Sequence, residues 1–163
     1  MYAYDPSEWT DLFVATAGAS AALAGLLFVA VSINIERIIG EVGLPDRALE
    51  TVLLLVGVLV VSILGLIPGQ SEGALGLELL VVSISLTFTI IRLPLVREMG
   101  APPRAWLMFR WGIRAAAMAP LIIGAASLIT SDGGGLYWIA AGIVFATVGA
   151  VANAWVLLVE ILR

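Results

Sequence analysis

The chain has 163 residues, of which 61% are hydrophobic and 12% charged, with a mean hydropathy of +1.10, well outside the range of soluble domains. It contains no histidine, cysteine or lysine, which removes the commonest general base, thiolate nucleophiles, disulfides and thiolate metal sites. The net charge of −4 says less than its distribution, because a membrane protein is oriented by how its basic residues divide between two faces.

The first apolar run covers residues 12–35 and is interrupted only by Thr16, Ser20, Ser32 and Asn34. About 20 apolar residues cross the hydrocarbon of a bilayer, so this run is long enough to span it. Asp5, Glu8 and Asp11 stand before it in place of a basic leader, and it outlasts a signal h-region of roughly 7 to 15 residues, so cleavage is not expected. Within it Asp11, Ala15, Gly18, Ala22, Gly25, Val29, Ser32 and Glu36 recur at alternating four- and three-residue steps and form one stripe of small residues. Such a stripe lets another backbone approach closely, which is how helices gain packing energy in lipid. Copies of this helix around an axis would instead line a pore, with Asp11 as an outer acidic ring and Glu36 as an inner one.

A polar connection over residues 36–47 follows, where Pro45 and Asp46 signal the start of the second run, 48–67. Pro68, Gly69, Gln70 and Ser71 make a turn into the third run, 75–95. Ser83, Ser85, Thr87 and Thr89 give that run the alternation of a strand, but a lone strand in lipid leaves its backbone unpaired, so a helix is predicted. Pro102 and Pro103 break the chain before an amphipathic stretch with Trp106, Phe109 and Ile113 on one face and Arg110 and Arg114 on another. It reads as an interfacial start to the fourth span, placed at 105–130, which Pro120 is expected to kink. After the turn from Ser131 to Gly135, the fifth run covers 136–162, with Tyr137, Trp138 and Trp155 in the aromatic belts. Gly142, Ala146, Gly149 and Asn153 form a second small-residue face, on which Asn153 suits an interhelical hydrogen bond or coordination of an ion or water.

All eight basic residues are arginines, and with five spans they share one side: Arg37 and Arg47, then Arg92, Arg97, Arg104, Arg110 and Arg114, then Arg163. The other side receives Asp5, Glu8, Asp11, Glu72, Glu78 and Asp132. The positive-inside rule then places the N-terminus outside and the C-terminus in the cytoplasm. Glu50, Glu78, Arg92 and Glu160 fall about a turn inside the predicted boundaries, where snorkelling or a cross-helix partner suffices, and Arg92 with Glu160 is a candidate pair. Asn34, Glu78 and Asn153 are the candidate polar groups within the membrane. Arg97, Arg104, Arg110 and Arg114, interleaved with Trp106 and Trp111, suit anionic lipid headgroups rather than nucleic acid. Without a Gly-rich phosphate loop, a metal-ligand cluster or a nucleophile beside a base, neither an enzymatic activity nor a cofactor or metal is implied.

Trp9, Asp11, Phe13, Gly18, Ala19, the run from Ala21 to Ala30 and Ser32-Ile33-Asn34 together resemble a group of small uncharacterised bacterial membrane proteins. Leu44-Pro45 and Ile67-Pro68-Gly69-Gln70 extend the likeness more loosely. Some of that group are labelled modulators of a membrane-bound AAA protease, so the resemblance implies kinship without a mechanism. The segments from Ser20 to Gly25 and Val29-Ala30 are also similar to the pore helix of the Orai calcium channels. That similarity departs near Ile33, where a selectivity glutamate is lacking, and in the expected orientation.

The sequence therefore predicts an all-α integral membrane protein, one domain over residues 1–163, a bundle of five transmembrane helices in the plasma (inner) membrane. A protomer this small does not easily enclose a substrate path, so a homo-oligomer is expected, packed through the small-residue faces of the first and fifth spans. The functional expectation is a cation-conducting channel lined by the first helix. The alternative is a non-conducting accessory or modulator subunit of a larger membrane protein complex. A secondary carrier fits less well, for want of an inverted repeat or a pair of centrally broken helices.

Overall fold

The architecture is given by a computed structural model that describes residues 3–41, 43–93 and 104–161. A short 3-10 turn, Pro6–Trp9, leads into α1 (Thr10–Ile33), α2 (Ile35–Gly40), α3 (Leu44–Gly65), α4 (Glu72–Arg92), α5 (Arg104–Thr130) and α6 (Leu136–Ile161). No strand occurs among the described residues. Five helices, all but α2, are long and apolar enough to cross a membrane, so the chain is an all-α multi-pass membrane protein.

The helix starts follow local chemistry. Asp5 caps the opening turn by accepting from the Ser7 amide at 3.0 Å, Pro45 occupies the first turn of α3, and Ser71 caps α4 by accepting from the Ala74 amide at 3.3 Å. The turn between α5 and α6 uses left-handed backbone at Ser131, Gly133, Gly134 and Gly135, with φ of 54°, 87°, 107° and 46°. Ser127 closes that turn by accepting from the Gly135 amide at 2.8 Å and bonding to the Asp132 carbonyl. The third run is helical, and two of its hydroxyls bond back along it, Thr87 to the Ser83 carbonyl at 2.6 Å and Thr89 to that of Ser85 at 2.8 Å, while the buried Ser83 hydroxyl has no partner among the described residues. Helix α5 runs through Pro120, which has no N–H to donate to the carbonyl of Ala116.

The unforeseen element is α2. The stretch predicted to be a polar connection holds a short helix that begins after Asn34, whose φ of −110° and ψ of 20° end α1. Ile38 is buried at 2% exposure against Leu44, Ala48 and Leu157, so this short helix is pinned to the bundle by one apolar side chain.

Helices α3, α4, α5 and α6 form a closed four-helix bundle, each packed on the next, with α6 returning to α3. Helix α1 lies outside it, packed chiefly on α3, so α3 is the most buried span and α1 the least. Leu54, Leu79, Leu121 and Ile139, one from each helix, are buried in the core. Because lipid is as apolar as leucine, these helices adhere through close packing, and small residues make it possible. A Cβ at Gly142 would stand 2.5 Å from Leu121 Cδ2, and one at Gly65 would stand 2.5 Å from Phe13 Cε2, so both sites admit only glycine without displacement. The second contact seats α1 on α3.

One end of the bundle gathers the N-terminal segment with the two tight turns. The Leu136 amide donates to the Ala3 carbonyl at 2.8 Å, the Gly134 amide donates to the Tyr4 hydroxyl at 3.0 Å, and the Trp9 and Tyr137 rings meet edge to face at 4.8 Å. Ser131 donates to Glu72 at 3.4 Å across the turns. Asp5, Glu8, Asp11, Glu72 and Asp132 therefore share this end, whereas Arg37, Arg47, Arg110 and Arg114 belong to the other.

Candidate functional site

Two regions carry the polar and charged residues singled out in the sequence. The first is the outer face of α1. Phe13, Ser20 and Ala24 are buried against α3, and Thr16 joins Ser62 of α3 through a hydroxyl hydrogen bond of 2.7 Å. At 3.6 residues per turn the stripe Asp11, Ala15, Gly18, Ala22, Gly25, Val29 and Ser32 falls on the opposite side of the helix from those residues. Every member of the stripe is exposed, and a Cβ added at Gly18 or Gly25 would meet nothing within 4 Å. Glu36 is also exposed, but it stands on α2 beyond the break at Asn34, so the stripe expected to run unbroken to Glu36 ends at Ser32. Asn34 itself donates to the Ala30 carbonyl at 2.9 Å, a bond within its own turn.

The second small-residue face has a different fate. Gly142 faces Leu121, Gly149 faces Ile113 and Leu54, and Ala146 is buried. This face of α6 is covered inside the protomer by α5 and α3, so the expectation that it packs neighbouring protomers is corrected. Asn153 is half-buried, and its side chain makes no hydrogen bond among the described residues, unlike the interhelical bond expected of it.

The second region is an ion cluster at the arginine-bearing end. Glu50, one turn and a half into α3, is 3% exposed. Arg114 of α5 grips it with Nε on Oε1 at 2.9 Å and Nη2 on Oε2 at 2.7 Å, and Arg110, one turn earlier, adds Nη2 on Oε2 at 2.9 Å. Helices α3 and α5 sit diagonally in the four-helix ring, so this cluster bridges its core rather than a groove between neighbours. Arg47, also on α3, is buried near that end. Arg110 and Arg114, expected among lipid headgroups, thus turn inward onto a carboxylate. A buried guanidinium requires an anion, and Glu50 meets Arg114 with the two-pronged geometry that suits it. The sequence offered the two halves of a signal: Glu50 lies inside its span, and Arg110 with Arg114 share one helix face at a four-residue spacing.

Of the other expected residues, Glu78 is half-buried and accepts from Gln70 Nε2 at 2.6 Å, while Arg92 is exposed with its guanidinium 4.4 Å from the Phe88 ring centre. Arg97 and the side chains of Arg104 and Glu160 lie outside the described residues, and with them the proposed Arg92–Glu160 pair. Among the described residues no group of three or more carboxylates could hold a metal ion. Comparison of the chain with protein-family models, characterised proteins and solved structures finds no match to any of them.

Proposed function

We propose that the chain assembles as a homo-oligomer in which copies of α1 surround a common axis and line a cation-conducting pore. The observation that carries this reading is the exposure of the whole stripe from Asp11 to Ser32, on the side of α1 opposite its contact with α3. A face of small residues left uncovered by the protomer is available for close approach by another helix, and Asp11 at its end supplies a ring of carboxylates that concentrates cations. Ala15, Gly18, Ala22, Gly25 and Val29 form an apolar wall, a stretch that gates by wetting and dewetting. With the arginines inside, the N-terminus is external, the C-terminus cytoplasmic, and the protein resides in the plasma (inner) membrane. The test is electrical recording from the purified protein in planar bilayers. Currents whose cation selectivity falls on Asp11→Asn support the channel, and silent bilayers formed from a verified oligomer reject it.

One observation favours a second reading. Between Asp11 and Ser32 the stripe offers no polar side chain, and the open space at Gly18 and Gly25 accepts a neighbouring backbone as readily as an aqueous path. In that case α1 docks a helix of a larger membrane protein, and the chain is a non-conducting accessory subunit. Copurification of one defined partner, lost on Gly25→Leu, separates this reading from a closed symmetric oligomer of the chain alone.

A further inference from the structure

Arg114 has a donor that Glu50 does not use. A guanidinium carries five N–H groups in one plane, and here the edge formed by Nε and Nη2 is directed at the Glu50 carboxylate at 2.9 and 2.7 Å. The remaining nitrogen, Nη1, is buried and has no hydrogen-bond partner, in a side chain only 5% exposed. Buried polar groups are almost always paired, so an ionised donor without an acceptor points to a missing one.

Arg114 also lines a cleft of about 220 Å³ between α4 and α5, together with Thr87, Ile91, Trp111, Met118 and Ile122, and is its only charged residue among those described. Ile91 and Trp111 are exposed, so the cleft opens on the outer surface of the bundle. The Trp111 ring centre is 5.8 Å from the Arg114 guanidinium carbon. Arg114 is one turn, about 6 Å, beyond Arg110, where the apolar length of α5 begins. That is a depth at which a phosphate and the first carbons of an acyl chain are both within reach. Arg110 and the buried Arg47 raise the positive potential at the same end.

We propose that the α4–α5 cleft is a phosphate site, in which a phosphate oxygen accepts from Arg114 Nη1 after the exposed Trp111 indole swings aside. Charge-assisted bonds favour phosphate over a neutral carbonyl, and basic pockets between transmembrane helices are suited to anionic headgroups. The phosphate comes either from an anionic phospholipid, whose chain then lies on Ile91, Met118 and Ile122, or from free inorganic phosphate, which leaves the apolar wall unused. The site is independent of whether α1 lines a pore.

The full chain in nanodiscs of equal phosphatidylglycerol and phosphatidylcholine, released into native mass spectrometry, reports which lipid it retains. A lipid source predicts enrichment of phosphatidylglycerol that falls about fivefold in Arg114→Gln, the factor one basic side chain contributes to anionic-lipid binding. Because Arg114→Gln also strips Glu50 of a partner and can impair folding, Ala119→Phe serves as the second variant. Ala119 is exposed in the cleft wall, five residues beyond Arg114 on α5, so Ala119→Phe fills the cleft and lowers enrichment while the thermal midpoint in detergent is unchanged. A free-phosphate source predicts no lipid enrichment but a rise in the wild-type midpoint with millimolar inorganic phosphate, absent in Arg114→Gln. Neither effect, or enrichment unaltered by both substitutions, overturns the proposal.

Discussion

Glu50 of α3 and Arg114 of α5 meet across the diagonal of the four-helix bundle, carboxylate oxygens to guanidinium nitrogens at 2.9 and 2.7 Å. Both are buried, at 3% and 5% exposure, and the pairing offsets the cost of taking each charge out of water. Removing one partner is therefore a different experiment from removing both. Glu50→Gln removes the carboxylate that the Arg114 guanidinium faces in the core and is expected to lower stability by about 3–5 kcal/mol, whereas Glu50→Met with Arg114→Leu, which leaves only the less buried Arg110 without this partner, loses less. Thermal unfolding of the detergent-solubilised protein, run as a double-mutant cycle, measures the difference, and equal losses for the single and the double variant would contradict this account.

The glycines divide into two classes that look alike in the sequence. Gly65 and Gly142 face Phe13 and Leu121 at distances that leave no room for a side chain, while Gly18 and Gly25 face open space. Leucine at either of the first two is expected to destabilise the protomer by about 1–3 kcal/mol through overpacking. Leucine at either of the second two leaves the protomer within about 0.5 kcal/mol of wild type but alters its oligomeric state. Unfolding midpoints combined with light scattering separate the classes.

The Thr16–Ser62 hydroxyl pair, at 2.7 Å, is the polar contact that accompanies the Phe13–Gly65 seat in docking α1 on α3. Interhelical hydrogen bonds in membranes contribute about 0.6 kcal/mol on average, because each hydroxyl can fall back on its own helix carbonyl. Thr16 has the Leu12 carbonyl and Ser62 that of Val58 within 2.8 Å, so the hydroxyl that accepts across the pair bonds back to its own helix, and the one that donates can do so when the pair is broken. Ser62→Ala should therefore be mild in a stability assay, and Gly65→Leu severe.

Acid should loosen the N-terminal cap. The Ser7 hydroxyl and amide beside Asp5 hold its carboxyl below the usual carboxylate range, although it is fully exposed. A depressed folded value means that the cap's contribution is complete above the unfolded pKa of an aspartate and disappears as pH falls through the lowered one. Protection of the Ser7 amide, measured as hydrogen exchange relative to its intrinsic rate at each pH, should fall over that acidic window, and Asp5→Asn should remove the pH dependence while retaining the cap.

The five spans follow from apolar run length alone, since lipid leaves the backbone only one way to satisfy itself in a lone segment, and the strand-like Ser83 to Thr89 pattern could not override that. The segregation of arginines from the opposite end's acids was also set by spacing along the chain. The break at Asn34 and the helix after it were not legible, because Ile38 becomes a core residue only once Leu44 and Leu157 are beside it.

Tertiary structure decided which small-residue stripe stays free. Gly18 with Gly25 and Gly142 with Gly149 have the same spacing and the same chemistry, yet α6 lies in the closed ring and α1 outside it. It also decided that Arg110 and Arg114 turn inward, because only helix packing places Glu50 across from them. The sequence by itself determined that the chain lives in a membrane and how many times it can cross, properties of composition and length. Which faces meet was left to packing, since in lipid every apolar surface is equally content and only the fit of one side chain into the space beside another distinguishes a buried face from a bare one.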